Sequence, residues 1–216
     1  MTGLDGFSAD VSGTEEAPPL PLPLGGWDPL GVRPSFGTYR GLARLALAEL
    51  EYRFGRLTAC TVLRWHEVRR LVFVCWGNIC RSPYAELRAA SFGLPAASFG
   101  LSTESGLPAD ATGRRCAAAF GADLSSHRAC ALQDFRAREG DLLVFMEPRH
   151  LHRVELMPAF EAFQKTLLGI WANPRRVHIH DPHRLSDAYW HSCLRTIDSG
   201  VAGLARKMTA PPRHAR

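Results

Sequence analysis

The chain has 216 residues, of which 46% are hydrophobic, and a formal net charge of +5. That length suits one well-buried domain and excludes two large ones, and the ordinary apolar content excludes wholesale disorder. The positive excess comes from arginine, since Lys165 and Lys207 are the only lysines. Such a balance is compatible with an anionic substrate, whereas nucleic-acid binding lacks the basic and aromatic cluster it needs.

The six cysteines are Cys60, Cys75, Cys80, Cys116, Cys130 and Cys193. Their spacings fit neither a zinc site nor a small secreted disulfide framework. Asp5, Asp10, Glu15 and Glu16 make the N-terminus acidic, without the basic stretch and apolar core of a signal peptide. No apolar run approaches the roughly 20 residues that span a bilayer. The expected location is a reducing cytoplasm, which keeps a reactive thiol usable.

Residues 1–35 are rich in Pro and Gly and include Pro18-Pro19-Leu20-Pro21-Leu22-Pro23. Alternating Pro and Leu blocks helix and buries too little surface to order itself, so a flexible tail is expected. A ligand for a proline-binding module is the alternative. From Tyr39 to about Leu57, Tyr39, Leu42, Ala46, Leu50 and Phe54 recur at helical spacing, with Arg40, Arg44, Glu51 and Arg53 between them. Residues 36–67 are therefore expected to hold an added amphipathic helix that packs its apolar stripe on the main domain, or meets a membrane surface or partner.

Residues 68–210 alternate strand and helix. Leu71–Val74 suits a central buried strand, Pro83–Phe92 a helix and Ala97–Gly100 a short strand. Asp110–Phe120 is Ala-rich and helical, closed by Gly121. Leu142–Met146 is a second strong strand, followed by a helix from Pro148 to about Leu156, and Lys165–Leu168 is a weaker strand. A last helix runs from Ser186 to about Met208, with Trp190, Leu194, Ile197, Val201, Leu204 and Met208 on one stripe. Strand and helix in alternation predict an α/β fold, a parallel sheet with helices on both faces.

The chemistry lies in Val74-Cys75-Trp76-Gly77-Asn78-Ile79-Cys80-Arg81-Ser82-Pro83. A buried strand delivers Cys75 to its C-terminal end, where open α/β sheets bind ligands. Gly77 and Asn78 tolerate unusual backbone angles, Ser82 suits a helix cap and Pro83 a first helical position. A turn of this kind wraps backbone N–H groups around one point at a helix N-terminus, which is an anion site. Helix N-termini and neighbouring Arg favour the thiolate form of a cysteine. Arg81 offers a planar fork that grips two oxygens of a phosphoryl group.

At these residues the sequence resembles the low-molecular-weight protein tyrosine phosphatases. The resemblance runs from about Leu71 to Met208. It includes Val72-Phe73-Val74, Ala85-Glu86, Ser98-Phe99-Gly100, Gly106-Leu107-Pro108-Ala109-Asp110 and Asp123-Leu124-Ser125-Ser126-His127-Arg128-Ala129. Leu142-Leu143-Val144-Phe145-Met146-Glu147, Lys165-Thr166-Leu167-Leu168-Gly169 and Ile179-His180-Asp181-Pro182 continue it. The resemblance implies four parallel strands, Cys75 as nucleophile, Arg81 as phosphate clamp and Asp181 as general acid and base. It further implies that Ser82 hydrogen-bonds the thiolate, that Asn78 holds the loop through Ser98 and His127, and that Trp76, Gly77, Ile79 and Cys80 complete the substrate-binding loop. No metal or cofactor is expected.

Several positions depart from the family pattern. His183 and Arg184 follow Asp181-Pro182 where aromatic residues are frequent, Glu147 replaces an Asp, and Cys130 stands where Arg is common. Trp76 would then serve either as an aromatic wall or as packing under the loop. Cys80 would either form a protective disulfide with Cys75, as the resemblance implies, or pack beneath the loop. Relatives that hydrolyse phosphoarginine carry Thr at the position of Ile79, so phosphotyrosine is the expected substrate. The implied partner is a tyrosine-phosphorylated protein, of which bacterial tyrosine kinases of polysaccharide export are an example. The alternatives are an arsenate reductase, which needs a thiol relay that the Cys116–Cys130 spacing does not match, and a non-catalytic phosphotyrosine-binding module.

Overall fold

The computed structural model describes Asp28, residues 30–61 and residues 63–209. The Pro/Leu run of the expected tail lies outside the described residues. Four strands form one parallel sheet in the order β2-β1-β3-β4: β1 Arg70–Cys75, β2 Ala96–Gly100, β3 Asp141–Phe145 and β4 Gln164–Leu167. The helices are α1 Val32–Phe36, α2 Tyr39–Arg53, α3 Arg81–Ser91, α4 Ala111–Ala118, α5 Pro148–Glu155 and α6 Asp187–Thr209. From β1 to α6 the expected order of elements holds, with ends moved by a residue or two.

Alternation along the strands divides the core. Leu71, Phe73 and Cys75 pack with Tyr84 and Ala85 of α3 and with Trp190, Leu194, Ile197, Val201 and Leu204 of α6. Val72 and Val74 pack on the other face with Leu151 and Val154 of α5 and Ala48 of α2. Each fully buried large apolar side chain contributes roughly 1.5–3 kcal/mol against solvent, so the predicted α6 stripe is a principal anchor of the fold. The chain leaves β1 toward β2 on one side and returns through β3 on the other. That reversal opens a crevice at the C-terminal ends of the strands, where Cys75 ends β1. No helix among the described residues is long and apolar enough to cross a membrane.

The N-terminal residues require three corrections. Val32–Phe36, which begins inside the segment expected to be a tail, is helical, and Arg176 Nη1 donates to Ser35 O at 2.6 Å. In α2 the predicted stripe faces outward, since Tyr39, Ala46, Leu50 and Phe54 are exposed. The buried positions are Gly41 and Ala48. Small residues let α2 approach the domain closely, and this close approach outweighs the larger apolar groups on the opposite side. Leu57, expected inside the helix, lies beyond it in the core around α5.

Candidate active site

The turn after β1 is built around Asn78, a non-glycine residue with φ 50°, a left-handed conformation that Asn tolerates better than most residues. Its side chain is fully buried and every polar atom is used. Nδ2 donates to Ser82 Oγ (2.8 Å) and Ser98 Oγ (2.7 Å), and Oδ1 accepts from Cys130 N (2.8 Å). His127 Nε2 donates to Asn78 O at 2.8 Å, because a carbonyl can only accept. The predicted network of Asn78, Ser98 and His127 is thus assembled. It continues to Glu86, whose carboxylate accepts from Ser98 Oγ at 2.6 Å. Gly100 lets β2 touch this turn, for a Cβ there would come within 3.0 Å of Asn78 N and Gly77 C.

Cys75 Sγ lies 3.0 Å from Ser82 Oγ and accepts from Asn78 N at 3.2 Å. The helix start differs from expectation. Cys80, not Ser82, occupies the N-cap, without a side-chain cap bond, and α3 begins at Arg81. The Ser82 hydroxyl turns back to the sulfur instead of capping, and Pro83 sits within the first turn, where no backbone donor is needed.

Arg81 is 1% exposed and is held on several sides. Nη1 donates to Glu147 Oε1 (2.5 Å) and Ile179 O (2.8 Å), and Nη2 pairs with Asp181 Oδ2 at 2.9 Å. Its Nε is buried without a partner among the described residues. Burial alone would raise the Glu147 carboxyl, but Arg81 and the groups around it hold it well below its ordinary value. Arg149 Nε closes a second ion pair with Glu147 at 2.7 Å. His150 and His178 flank the same carboxylate, and burial is the main cause that lowers them, to about 3 and about 4. Sequence reasoning treated Glu147 only as a substitution and missed both histidines. The single available signal was an acidic residue directly after a buried strand.

A cleft of about 730 Å³ is lined by Cys75, Trp76, Ile79, Cys80, Asp181 and His183, among others. Trp76 is 38% exposed and flanked by His150, Arg149 and Arg153, which makes it a wall of the cleft and not packing under the loop. Tyr189, the aromatic nearest to Asp181-Pro182 in sequence, points inward and donates its hydroxyl to His180 O at 2.9 Å. Cys80 is buried, and burial, followed by the charges of Asp181, Cys75 and Asp110, pushes its thiol well up. Cys80 Sγ, an Asp110 carboxylate oxygen and a His183 ring nitrogen lie within 4.8 Å of one another, a set with metal-ligand chemistry. His183 Nδ1 and Asp110 Oδ2 already pair at 3.2 Å. All six cysteines are free. A larger hollow, about 840 Å³, opens at the opposite ends of the strands between Arg64, Arg69 and Asp141, and no cysteine, serine or threonine lines it.

A thiol held by a backbone N–H and a hydroxyl, an Arg fork and a carboxyl paired to that fork are groups whose chemistry suits a tetrahedral oxyanion. Comparison with known proteins agrees. The chain is 39% identical over 125 residues to the low molecular weight protein-tyrosine-phosphatase Etp of Escherichia coli strain K12, covering 56% of this chain and 82% of Etp. The crystal structure of the Erwinia amylovora tyrosine phosphatase AmsI superposes with a TM-score of 0.57 at 27% identity, over 66% of this chain and 95% of that one. Wzb from Escherichia coli K30, in complex with sulphate, does so with a TM-score of 0.57 at 26% identity, over 65% and 98%. Residues 70–212 match the family described as low molecular weight phosphotyrosine protein phosphatase. This chain, with its cysteine loop at the end of β1, belongs to that family of protein-tyrosine-phosphatases.

Proposed function

We propose that the chain hydrolyses phosphotyrosine in proteins through a phosphocysteine intermediate on Cys75. The observation that carries this reading is the Cys75 sulfur, held by Ser82 Oγ and Asn78 N beside Arg81, with Asp181 paired to that same guanidinium. In the first step the Cys75 thiolate attacks phosphorus. The S–P bond forms as the P–O(aryl) bond breaks, and the protonated Asp181 carboxyl gives its proton to the departing phenolate. In the second step a water attacks phosphorus, the Asp181 carboxylate takes its proton, and the S–P bond breaks to return the thiolate and release inorganic phosphate. Arg81 and the backbone N–H groups of the loop bind the phosphoryl oxygens through both steps. The Ser82 hydroxyl supports the sulfur as a leaving group.

The cleft is walled by Trp76, which suits an aryl ester, and the Ile79 side chain brings no polar atom to it. The cytoplasm is the proposed location, since free thiols persist there. The partner is a tyrosine-phosphorylated protein, with bacterial tyrosine kinases of polysaccharide export as the first class to examine. Cys75→Ser should abolish release of phosphate from aryl phosphates with the fold intact. Asp181→Ala should slow that release by roughly 10²- to 10⁴-fold, least for the most acidic leaving groups. Near-normal turnover in Cys75→Ser would overturn the mechanism, and arsenate reduction without phosphatase activity would favour the reductase.

A further inference from the structure

Asp181 sits in an irregular stretch between the end of β4 and the start of α6, so no regular ladder fixes its position. The main domain holds one side of that stretch. Ile179 N donates to Met146 O at 2.9 Å, and Arg81 and Tyr189 donate to the carbonyls of Ile179 and His180. The other side is held by α1 and α2, whose residues all precede the 70–212 family region. Besides the bond from Arg176 to Ser35 O, Glu49 pairs with Arg175 at 2.9 Å, and the Arg175 guanidinium lies over the Tyr52 ring.

Thr38, the N-cap of α2, reaches His180, the residue next to Asp181. Its Oγ1 accepts from Gly41 N at 2.9 Å and lies 3.1 Å from His180 Nε2. The other ring nitrogen of His180 is buried without a partner, so Thr38 is the sole side-chain polar contact of that ring among the described residues. The helix turn can approach this closely because position 41 is Gly: a Cβ there would stand 2.9 Å from the ring.

We infer that the N-terminal helices are a clamp that positions the Asp181 loop, with Thr38 acting through His180, the residue next to Asp181. Thr38 and His180 are positioning residues; neither touches the phosphoryl group. The inference rests on the phosphatase reading above and adds to it a role for residues outside the family region. Proton donation requires the carboxyl to sit within hydrogen-bond reach of the leaving oxygen, and an ångström of misplacement can cost about 10²-fold. A loosened clamp should therefore impair protonation of the leaving group and spare attack by Cys75.

The test measures kcat/KM of the full chain for phenyl, p-nitrophenyl and dinitrophenyl phosphate. Thr38→Val and His180→Phe should each lower the phenyl phosphate value by about 10-fold, part of what a mislaid general acid costs. The dinitrophenyl value should stay near that of the unaltered chain, and Thr38→Ser should match the unaltered chain on all three esters. The double variant should lose no more than either single one, because the two side chains act through one contact. Should Thr38→Val fail to fold, His180→Phe, which leaves the α2 cap intact, gives the same readout. Equal losses on all three esters, additive losses in the double variant, or no loss would overturn the clamp. If the unaltered chain released phosphate from none of the esters, the phosphatase reading itself would fail.

Discussion

Acid should destabilise this fold through two buried histidines. In an unfolded chain an imidazole titrates near 6.5. In the fold, burial first and then repulsion from Arg81 lower His150 to about 3, with Glu147 offsetting part of the effect. His178 is lowered to about 4, again mainly by burial. Both folded values lie below the unfolded one, so below pH 6.5 the unfolded chain binds protons that the native state refuses. Stability is complete above pH 6.5 and falls as pH drops, until the folded values near 4 and 3 are reached. At pH 5.5 an unfolded imidazole is about nine-tenths protonated, which costs about 1.4 kcal/mol for each histidine and about 3 kcal/mol for the pair. Moving either folded value by a unit changes this little, because the loss is set by how far the assay pH lies below 6.5. Urea unfolding at pH 7.5 and 5.5 should show at least that difference at constant m, since burial lowers His180 in the same direction, and His150→Phe should remove about 1.4 kcal/mol of it. Equal stability at the two pH values, or imidazole NMR signals of His150 and His178 titrating near 6.5, would refute the reasoning.

Three further outcomes follow from the site. Glu147→Gln should leave Arg81 buried with one charge partner fewer and destabilise the fold by roughly 3 kcal/mol or more, the cost expected for breaking a buried pair; an unchanged urea midpoint would count against its supporting role. Peroxide inactivation should be reversed by added thiol in the unaltered chain and should be less reversible in Cys80→Ser, if Cys80 traps an oxidised Cys75 as a disulfide. Equal recovery in both would leave Cys80 as packing. Ile79→Thr should raise phosphoarginine hydrolysis relative to phosphotyrosine, and a preference for phosphoarginine in the unaltered chain would reverse the substrate assignment.

The sequence alone determined the fold class and the position of the cleft, because both depend on local information. Leu71–Val74 and Leu142–Met146 are apolar runs that only buried strands accommodate, and the α6 stripe from Trp190 to Leu204 is periodic over its whole length. The spacing of Cys75, Asn78, Arg81 and Ser82 is likewise a local constraint of one turn, so the place of that loop was legible, although the Ser82 hydroxyl turns to the Cys75 sulfur instead of capping α3. What depends on contacts across the chain was not. Glu147 and His150 are neighbours on one helical turn, but they meet Arg81 and His178 only when β3, α5 and the Asp181 loop converge, and the acidic residue after β3 was the single local sign of it. The face of α2 went wrong for a related reason. Periodicity weighs apolar side chains, whereas packing on the domain was decided by Gly41 and Ala48, whose small size lets the helix come close enough for Thr38 to reach His180. A local pattern determines which element forms and what its turn can bind. Only the packed chain decides which side of an element is buried and which distant charge stands beneath a reactive group.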